Sequence, residues 1–164
     1  MTRSYSIVIP ALDEAQHLPG LLEQLRSRLP CAELIVVDGG STDNTCERAR
    51  PHCDRLVQAP RGRASQMHAG ASRAVGEYLF FLHADSLPTV TEATLQASLA
   101  SAPAWGFCRV RLSGEHPALR IIAWSMNQRS RLTRVATGDQ MLFVRADVYR
   151  QCGGFARIPL MEDI

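Results

Sequence analysis

The chain has 164 residues, of which 46% are hydrophobic, and this length and composition predict one globular domain, residues 1–164, with a buried core. All 18 basic residues are arginine, so the sequence excludes a P-loop lysine and Schiff-base chemistry. The formal net charge is only +2, without a basic stripe interleaved with aromatic residues, and this argues against a nucleic-acid partner.

Strand patterns and helix patterns alternate along the chain. Tyr5–Pro10 predicts a buried strand, which ends at proline because proline cannot donate to a sheet ladder. Leucines at helical spacing between Ala15 and Pro30 predict a covering helix. Further strands are predicted at 33–38, 54–58, 78–82, 105–112 and 141–144, and further helices ending near 50 and at 64–74, 91–101, 118–134 and 146–151. This alternation predicts an α/β fold with a mainly parallel, right-handed wound sheet.

The apolar run 78–82 stops abruptly at a His-x-Asp pair, His83 and Asp85. A short run of this kind predicts a strand buried on both faces, and such strands belong to parallel sheets that bind ligands beyond their carboxyl ends. Strand alternation would place both side chains on one side, with Asp85 as a ligand of Mg²⁺ or Mn²⁺ that also carries phosphates. The alternative is a simple turn in which Asp85 caps the helix that starts near Thr91.

Acidic residues follow three of the predicted strands. Asp13 and Glu14 follow the first strand, Asp38 ends the second, and Asp85 follows the apolar run. Together they would line one edge of the sheet, where open α/β folds bind nucleotides. Asp38, which precedes two glycines, is interpreted as a base or ribose contact, with a turn aspartate as the alternative, whereas Asp43 is better explained as a helix cap.

Three segments in this order, 7–14, 36–43 and 81–85, resemble the GT-A-fold, family 2 glycosyltransferases. The resemblance is strongest to a bacterial branch in which the Asp-x-Asp motif reads His-Ala-Asp and is preceded by Arg-Gly-Arg-Ala-x-Gln-Met, here 61–67. It implies a Rossmann-like, mainly parallel sheet flanked by helices. It also implies a nucleotide-diphosphate sugar as donor.

The resemblance assigns roles to individual residues. The residues it implies in binding donor and acceptor are Pro10, Ala11, Asp13, Glu14, Asp38, Arg63, His83, Gly138, Asp139 and Gln140. Asp85 would hold the divalent ion, Mg²⁺ or Mn²⁺, with His83 in place of the first aspartate of the motif. Asp163, beside Glu162, would be the catalytic base.

These assignments predict an inverting glycosyltransferase that moves a sugar, most simply from a UDP-sugar, to an unidentified acceptor hydroxyl. One alternative is a sugar-phosphate nucleotidyltransferase, although the first loop is not the glycine-rich basic loop expected there. The other is a noncatalytic nucleotide-sugar-binding module. Members of the resembled family continue past the Glu-Asp pair, so we expect this chain to lack the usual C-terminal helices and to hold Asp163 poorly.

Three features bear on where the protein works. Its five cysteines, an odd number without a C-x-x-C pair, indicate reduced thiols and a cytoplasmic protein. We expect neither a signal peptide nor a membrane-spanning segment. The predicted helix 118–134 carries Arg120, Trp124, Asn127, Arg131 and Arg134 on one face, opposite its apolar face, so it is either an ordinary covering helix or a contact with an anionic membrane surface.

Overall fold

The computed structural model describes residues 4–112, 114, 116–133 and 140–155. The described strands are β1 Tyr5–Ala11, β2 Glu33–Asp38, β3 Arg55–Gln58, β4 Tyr78–Phe81, β5 Trp105–Phe107 and β6 Leu142–Arg145. The described helices are α1 Leu18–Arg28, α2 Thr45–Ala49, α3 Arg63–Ala71, α4 Glu92–Leu99, α5 Pro117–Thr133 and α6 Ala146–Gln151.

The six strands form one sheet in the order β3-β2-β1-β4-β6-β5. β1 pairs in parallel with β2 and β4, and β2 pairs in parallel with β3. β6 runs antiparallel to both β4 and β5. The predicted α/β class with a mainly parallel sheet is therefore confirmed. The carboxyl ends of the four parallel strands lie at one edge, and their following loops carry the candidate site.

β1 lies at the centre of the core and is buried at every position. One face of the sheet packs against the leucines of α1, and the other packs against α3 and α6. α3 approaches the sheet closely at Gly70, where a Cβ atom would lie 2.4 Å from Val8 Cγ1 and 2.8 Å from Val37 Cγ2. The glycine therefore sets the distance between α3 and the two central strands.

Several predicted boundaries shift. The prediction that β1 ends at Pro10 is wrong, because the strand continues to Ala11, and α3 ends at Ala71 instead of Ala74, while most other ends move by at most two residues. The first helix begins at Leu18 instead of Ala15, and Pro19 in its first turn suits a helix start, where a missing N–H has no intrahelical partner to lose. The strand predicted at 105–112 ends at Phe107.

Beyond β5, a side chain of α5 forms hydrogen bonds to the backbone of Val110, as a neighbouring strand would do. Asn127 of α5 donates from Nδ2 to Val110 O at 2.9 Å, and its Oδ1 accepts from Val110 N at 3.0 Å. The sequence prediction that put Asn127 on the outer face with Arg120 and Trp124 is therefore wrong. Its amide faces inward because it satisfies both backbone groups of Val110.

Candidate active site

A cavity of about 270 Å³ opens at the carboxyl edge of the sheet. Its walls come from the loop after β1, the start of α3 and the loop after β4: Pro10, Ala11, Leu12, Glu14, Arg61, Gly62, Arg63, Gln66, His83, Ala84 and Asp85. The structure thus brings together six of the predicted site residues. Two more do not line the cavity: Asp13 lies in the loop after β1, between the lining residues Leu12 and Glu14, and Asp38 is the last residue of β2.

Asp38 ends β2 and is only 2% exposed. Its carboxylate accepts hydrogen bonds from Gly40 N at 3.1 Å, from Ser41 N at 3.1 Å and from Ser41 Oγ. Burial alone would raise the pKa of Asp38, but these hydrogen bonds outweigh it and hold the pKa below its usual range. Asp38 is therefore ionised at neutral pH and holds the turn that follows it, as the turn alternative predicts. Its contact with a nucleotide base stays a prediction.

The loops after β1 and β2 are tied together by polar side chains. Asp13, which has a φ of 56°, accepts from Thr42 N at 2.8 Å, and its own amide donates to Ser41 Oγ at 3.0 Å. Asp43 accepts from Thr45 N at 2.9 Å at the start of α2 and from Ala15 N at 3.2 Å, but the N-cap position of α2 is Asn44, so the predicted cap is one residue off. These crossed bonds fix one wall of the site.

His83 and Asp85 lie in a turn beyond β4, which ends at Phe81. The turn is closed by a hydrogen bond from Ser86 N to His83 O at 3.1 Å. The expectation that strand alternation aligns the two side chains is therefore wrong, because neither residue is in the strand, yet both line the cavity. Asp85 does not cap α4, since that cap is Thr91, whose hydroxyl accepts from Thr94 N.

The geometry at Asp85 fits a cation that is shared with a ligand. Among the described residues, no group of three or more His, Cys, Asp or Glu side chains could hold a metal ion by itself. The exposed Asp85 carboxylate and half-buried His83 nevertheless border the same cavity. Mg²⁺ and Mn²⁺ take few protein ligands when phosphate oxygens and waters complete their coordination. Asp85 and His83 therefore fit a phosphate-bound divalent ion.

Arg61 and Arg63 bring positive charge to the wall formed at the start of α3. Arg63 is the first residue of α3, and Gly62 precedes it with a φ of 133°. Amide groups at a helix N-terminus and guanidinium groups both favour phosphate oxygens. This wall therefore suits the diphosphate of a nucleotide.

Gln66 belongs to the 61–67 motif, but the sequence alone predicts no role for it. Its side chain is 3% exposed, and Nε2 donates to Ala11 O at 2.9 Å and to Val37 O at 2.8 Å. The sequence contains one indication of this burial: Gln66 lies one helical turn before Gly70, so both residues share one face of the predicted helix.

Of the site residues predicted near the end of the chain, the structure describes only Gln140, which does not line the cavity. Gln140 is fully buried, and its Oε1 accepts from Ser130 Oγ of α5 at 2.7 Å. Gly138, Asp139, Glu162 and Asp163 lie outside the described residues. The structure therefore describes the predicted donor side of the site and leaves the predicted base as a prediction.

Solved glycosyltransferases share this fold. The mannosyltransferase PcManGT from Pyrobaculum calidifontis, in complex with GDP-Man and Mn²⁺, superposes with a TM-score of 0.69 at 20% identity, over 95% of this chain and 48% of that one. S. aureus TarS in complex with UDP-GlcNAc gives a TM-score of 0.66 at 18% identity, over 92% of this chain and 47% of that one. The expected GT-A fold is confirmed by this likeness.

Sequence comparison gives the family. The chain is 37% identical over 106 residues to the PGL/p-HBAD biosynthesis glycosyltransferase of Mycobacterium bovis (strain BCG / Pasteur 1173P2), covering 59% of this chain and 40% of the relative. It is 34% identical over 92 residues to the 4,4'-diaponeurosporenoate glycosyltransferase of Staphylococcus haemolyticus (strain JCSC1435), covering 51% and 24%. The chain thus spans less than half the length of these curated relatives. Because the profile of glycosyl transferase family 2 matches residues 6–114, well over half of the chain, the protein belongs to that family.

Proposed function

We propose that the cavity binds the nucleotide diphosphate of a sugar donor and that the chain is the donor-binding part of an inverting glycosyltransferase. The observation that carries the proposal is the pairing of a carboxylate, Asp85, with two guanidinium groups, Arg61 and Arg63, on the walls of one cavity. A metal-bound diphosphate needs both charges, since the carboxylate holds the cation and the arginines contact the phosphates.

The base and ribose are proposed to lie against the loops after β1 and β2. Pro10, Ala11 and Glu14 line this part of the cavity, while Asp13 and Asp38 hold the two loops in place. UDP is the proposed nucleotide because the family resemblance assigns a base contact, usually uracil, to the position of Asp38. Support from relatives is general: TarS was solved with UDP-GlcNAc, and PcManGT with GDP-Man.

The diphosphate is proposed to lie between Arg63 and the turn that carries His83 and Asp85. Asp85 would hold the divalent ion with His83 nearby, and a bound Mg²⁺ or Mn²⁺ would offset negative charge on the leaving diphosphate. Arg61 and Arg63 would orient the same phosphates from the wall at the start of α3. The two walls thereby position the anomeric carbon toward the open side of the cavity.

Transfer itself is proposed to use Asp163, with Glu162 beside it, as the base. Asp163 would take the proton of the acceptor hydroxyl, whose oxygen then bonds to the anomeric carbon as the bond from that carbon to the diphosphate oxygen breaks, inverting the centre. Gly138, Asp139 and Gln140 are proposed to lie near the donor sugar and acceptor. The acceptor is a hydroxyl compound of unassigned class.

The proposal is tested by measuring UDP and UDP-sugar binding with Mn²⁺, with Mg²⁺ and with EDTA. Wild-type protein should bind with a divalent ion, and Asp85→Ala should lose most of the ion-dependent part of the affinity. Glu23→Ala, which removes a carboxylate exposed on α1, is the matched control. Equal wild-type affinity with Mn²⁺ and with EDTA would contradict the metal role, and binding without sugar transfer would favour the noncatalytic module.

The outer face of α5 is proposed as a contact with an anionic membrane surface. Ile121, Trp124 and Leu132 are 67%, 63% and 84% exposed on this helix, which contains arginines but no acidic residue. A helix with this face can insert its apolar side chains at the headgroup level of a bilayer while its arginines contact anionic lipids. Among the described helices, none has the length and apolar character needed to cross a bilayer.

A further inference from the structure

We propose that Gln66 is a positioning residue of the donor site, whose side-chain amide couples the loop after β2 to the start of α3. This inference rests on the proposed function, because it concerns how the two walls of the nucleotide site keep their spacing. Gln66 would not itself react. It would hold the base side and the diphosphate side of the cavity as one unit.

The amide of Gln66 joins three elements at one point. Its Nε2 atom belongs to α3 and donates to Ala11 O in β1 at 2.9 Å and to Val37 O in β2 at 2.8 Å. Both partners are carbonyl oxygens, so the nitrogen end of the amide must face them and both of its N–H groups are used. Ala11 O also accepts from Gly39 N at 3.0 Å, which brings the loop after β2 into the same cluster.

Close packing keeps the amide in this position. A Cβ atom at Gly39 would lie 3.0 Å from Cδ, Nε2 and Oε1 of Gln66, so the loop backbone already rests on the amide. One turn along α3, Gly70 has no room for a Cβ atom against Val8. The close packing opposes movement of α3 toward the sheet, and the two hydrogen bonds oppose its movement away.

Both halves of the proposed donor site lie close in sequence to the residues that this amide joins. Val37 precedes Asp38, which shapes the loop on the base side. Arg63 lies three residues before Gln66, on the same face of α3, at the wall that suits the diphosphate. A nucleoside diphosphate must contact both halves at once, whereas a nucleoside contacts only the base side. Loss of the amide should therefore weaken UDP binding more than uridine binding.

The variant Gln66→Leu tests this, because it keeps the approximate side-chain size and removes both hydrogen bonds. Gln24→Leu, an exposed glutamine on α1, is the matched control. With Mn²⁺ present, UDP binding by Gln66→Leu should weaken by about tenfold, the effect of losing one correctly placed polar contact. Uridine binding should change by less than about threefold, within the spread of indirect effects.

A double-mutant cycle separates positioning from general loosening of the structure. If Gln66 acts through Arg63, adding Gln66→Leu to Arg63→Ala should cost little further UDP affinity, so the two effects are not additive. Fully additive effects, or a folded Gln66→Leu variant that binds UDP like wild type, would overturn the proposal. Thermal melting of each variant establishes that it is folded.

A measurement on wild-type protein keeps the inference testable if Gln66→Leu does not fold or if no nucleotide binds. The side-chain amide protons of Gln66, followed by NMR without ligand, should exchange much more slowly than those of Gln24 because both are donated inside the fold. Equal exchange would overturn the coupling. Slow exchange in a protein that binds no UDP-, GDP- or TDP-sugar would instead overturn the proposed function while leaving the amide contact in place.

Discussion

Replacing Asp38 by asparagine should destabilise the protein, although the two side chains have almost the same shape. The carboxylate accepts from Gly40 N at 3.1 Å, from Ser41 N at 3.1 Å and from Ser41 Oγ. An asparagine amide presents only one acceptor oxygen, so the donors on its nitrogen side lose their partner. Each charge-assisted bond contributes roughly 1.5–3 kcal/mol and a neutral one about 1 kcal/mol, so we expect a net loss of about 2–3 kcal/mol.

The pH dependence of the free energy of unfolding tests whether the charge of Asp38 causes this loss. The pKa of folded Asp38 is lowered because the hydrogen bonds from the Gly40–Ser41 loop outweigh the effect of burial. Because the pKa is lower in the folded state, the carboxylate stabilises that state at pH values above its unfolded pKa of about 3.9. This contribution is lost as the pH falls through the folded pKa. The difference in unfolding free energy between wild type and Asp38→Asn should therefore be complete at neutral pH and shrink in acid.

Urea denaturation at neutral pH and at a series of lower pH values measures both quantities. Asp85→Asn is the control, because this carboxylate is exposed at the same edge of the sheet. A deficit in Asp38→Asn that stays constant down to acid pH would refute the charge argument. Nucleotide affinity should also fall by about 1.5–3 kcal/mol in Asp38→Ala, with or without metal, if the predicted base contact is made there.

Two further predictions concern α3 and α5. Gly70→Ala should lower the free energy of unfolding by about 1–3 kcal/mol in urea denaturation, because its Cβ atom would lie 2.4 Å from Val8 Cγ1. Gly20→Ala, in α1 with nothing within 4 Å, should instead raise it by about 0.5–1 kcal/mol, and equal effects at both sites would refute the packing argument. For α5, wild-type protein should sediment with anionic vesicles at low salt and Trp124→Ser should sediment less; failure of wild type to sediment would remove the membrane contact.

The elements that sequence reasoning located best are those whose pattern is local. β2 at Glu33–Asp38 and α6 at Ala146–Gln151 have the predicted bounds, because a continuous apolar run and a short polar turn are complete signals in themselves. The edge of the sheet that carries the cavity also followed from strand ends alone. Acidic residues that follow parallel strands lie at the carboxyl edge of the sheet, and this does not depend on the conformation of each loop.

The parts that were missed depend on contacts between distant residues. Gln66 bonds to Ala11 and Val37, which are 55 and 29 positions away, and a helical glutamine carries no mark of such partners. Helical spacing places Asn127 on the face of α5 that carries Arg120 and Trp124, but its amide bonds to both backbone groups of Val110. In both cases backbone groups in a distant part of the sequence decide where the side chain goes.

The pairing of Asn127 with Val110 also bears on self-association. Edge strands with free N–H and C=O groups are templates on which other chains can add and aggregate. The two edge strands here are short, four residues in β3 and three in β5. At Val110, three residues beyond the end of β5, a side chain of the same molecule occupies both backbone groups. Asn127→Ala would leave both groups free to pair with another chain, so we expect this variant to aggregate at a lower concentration than wild type.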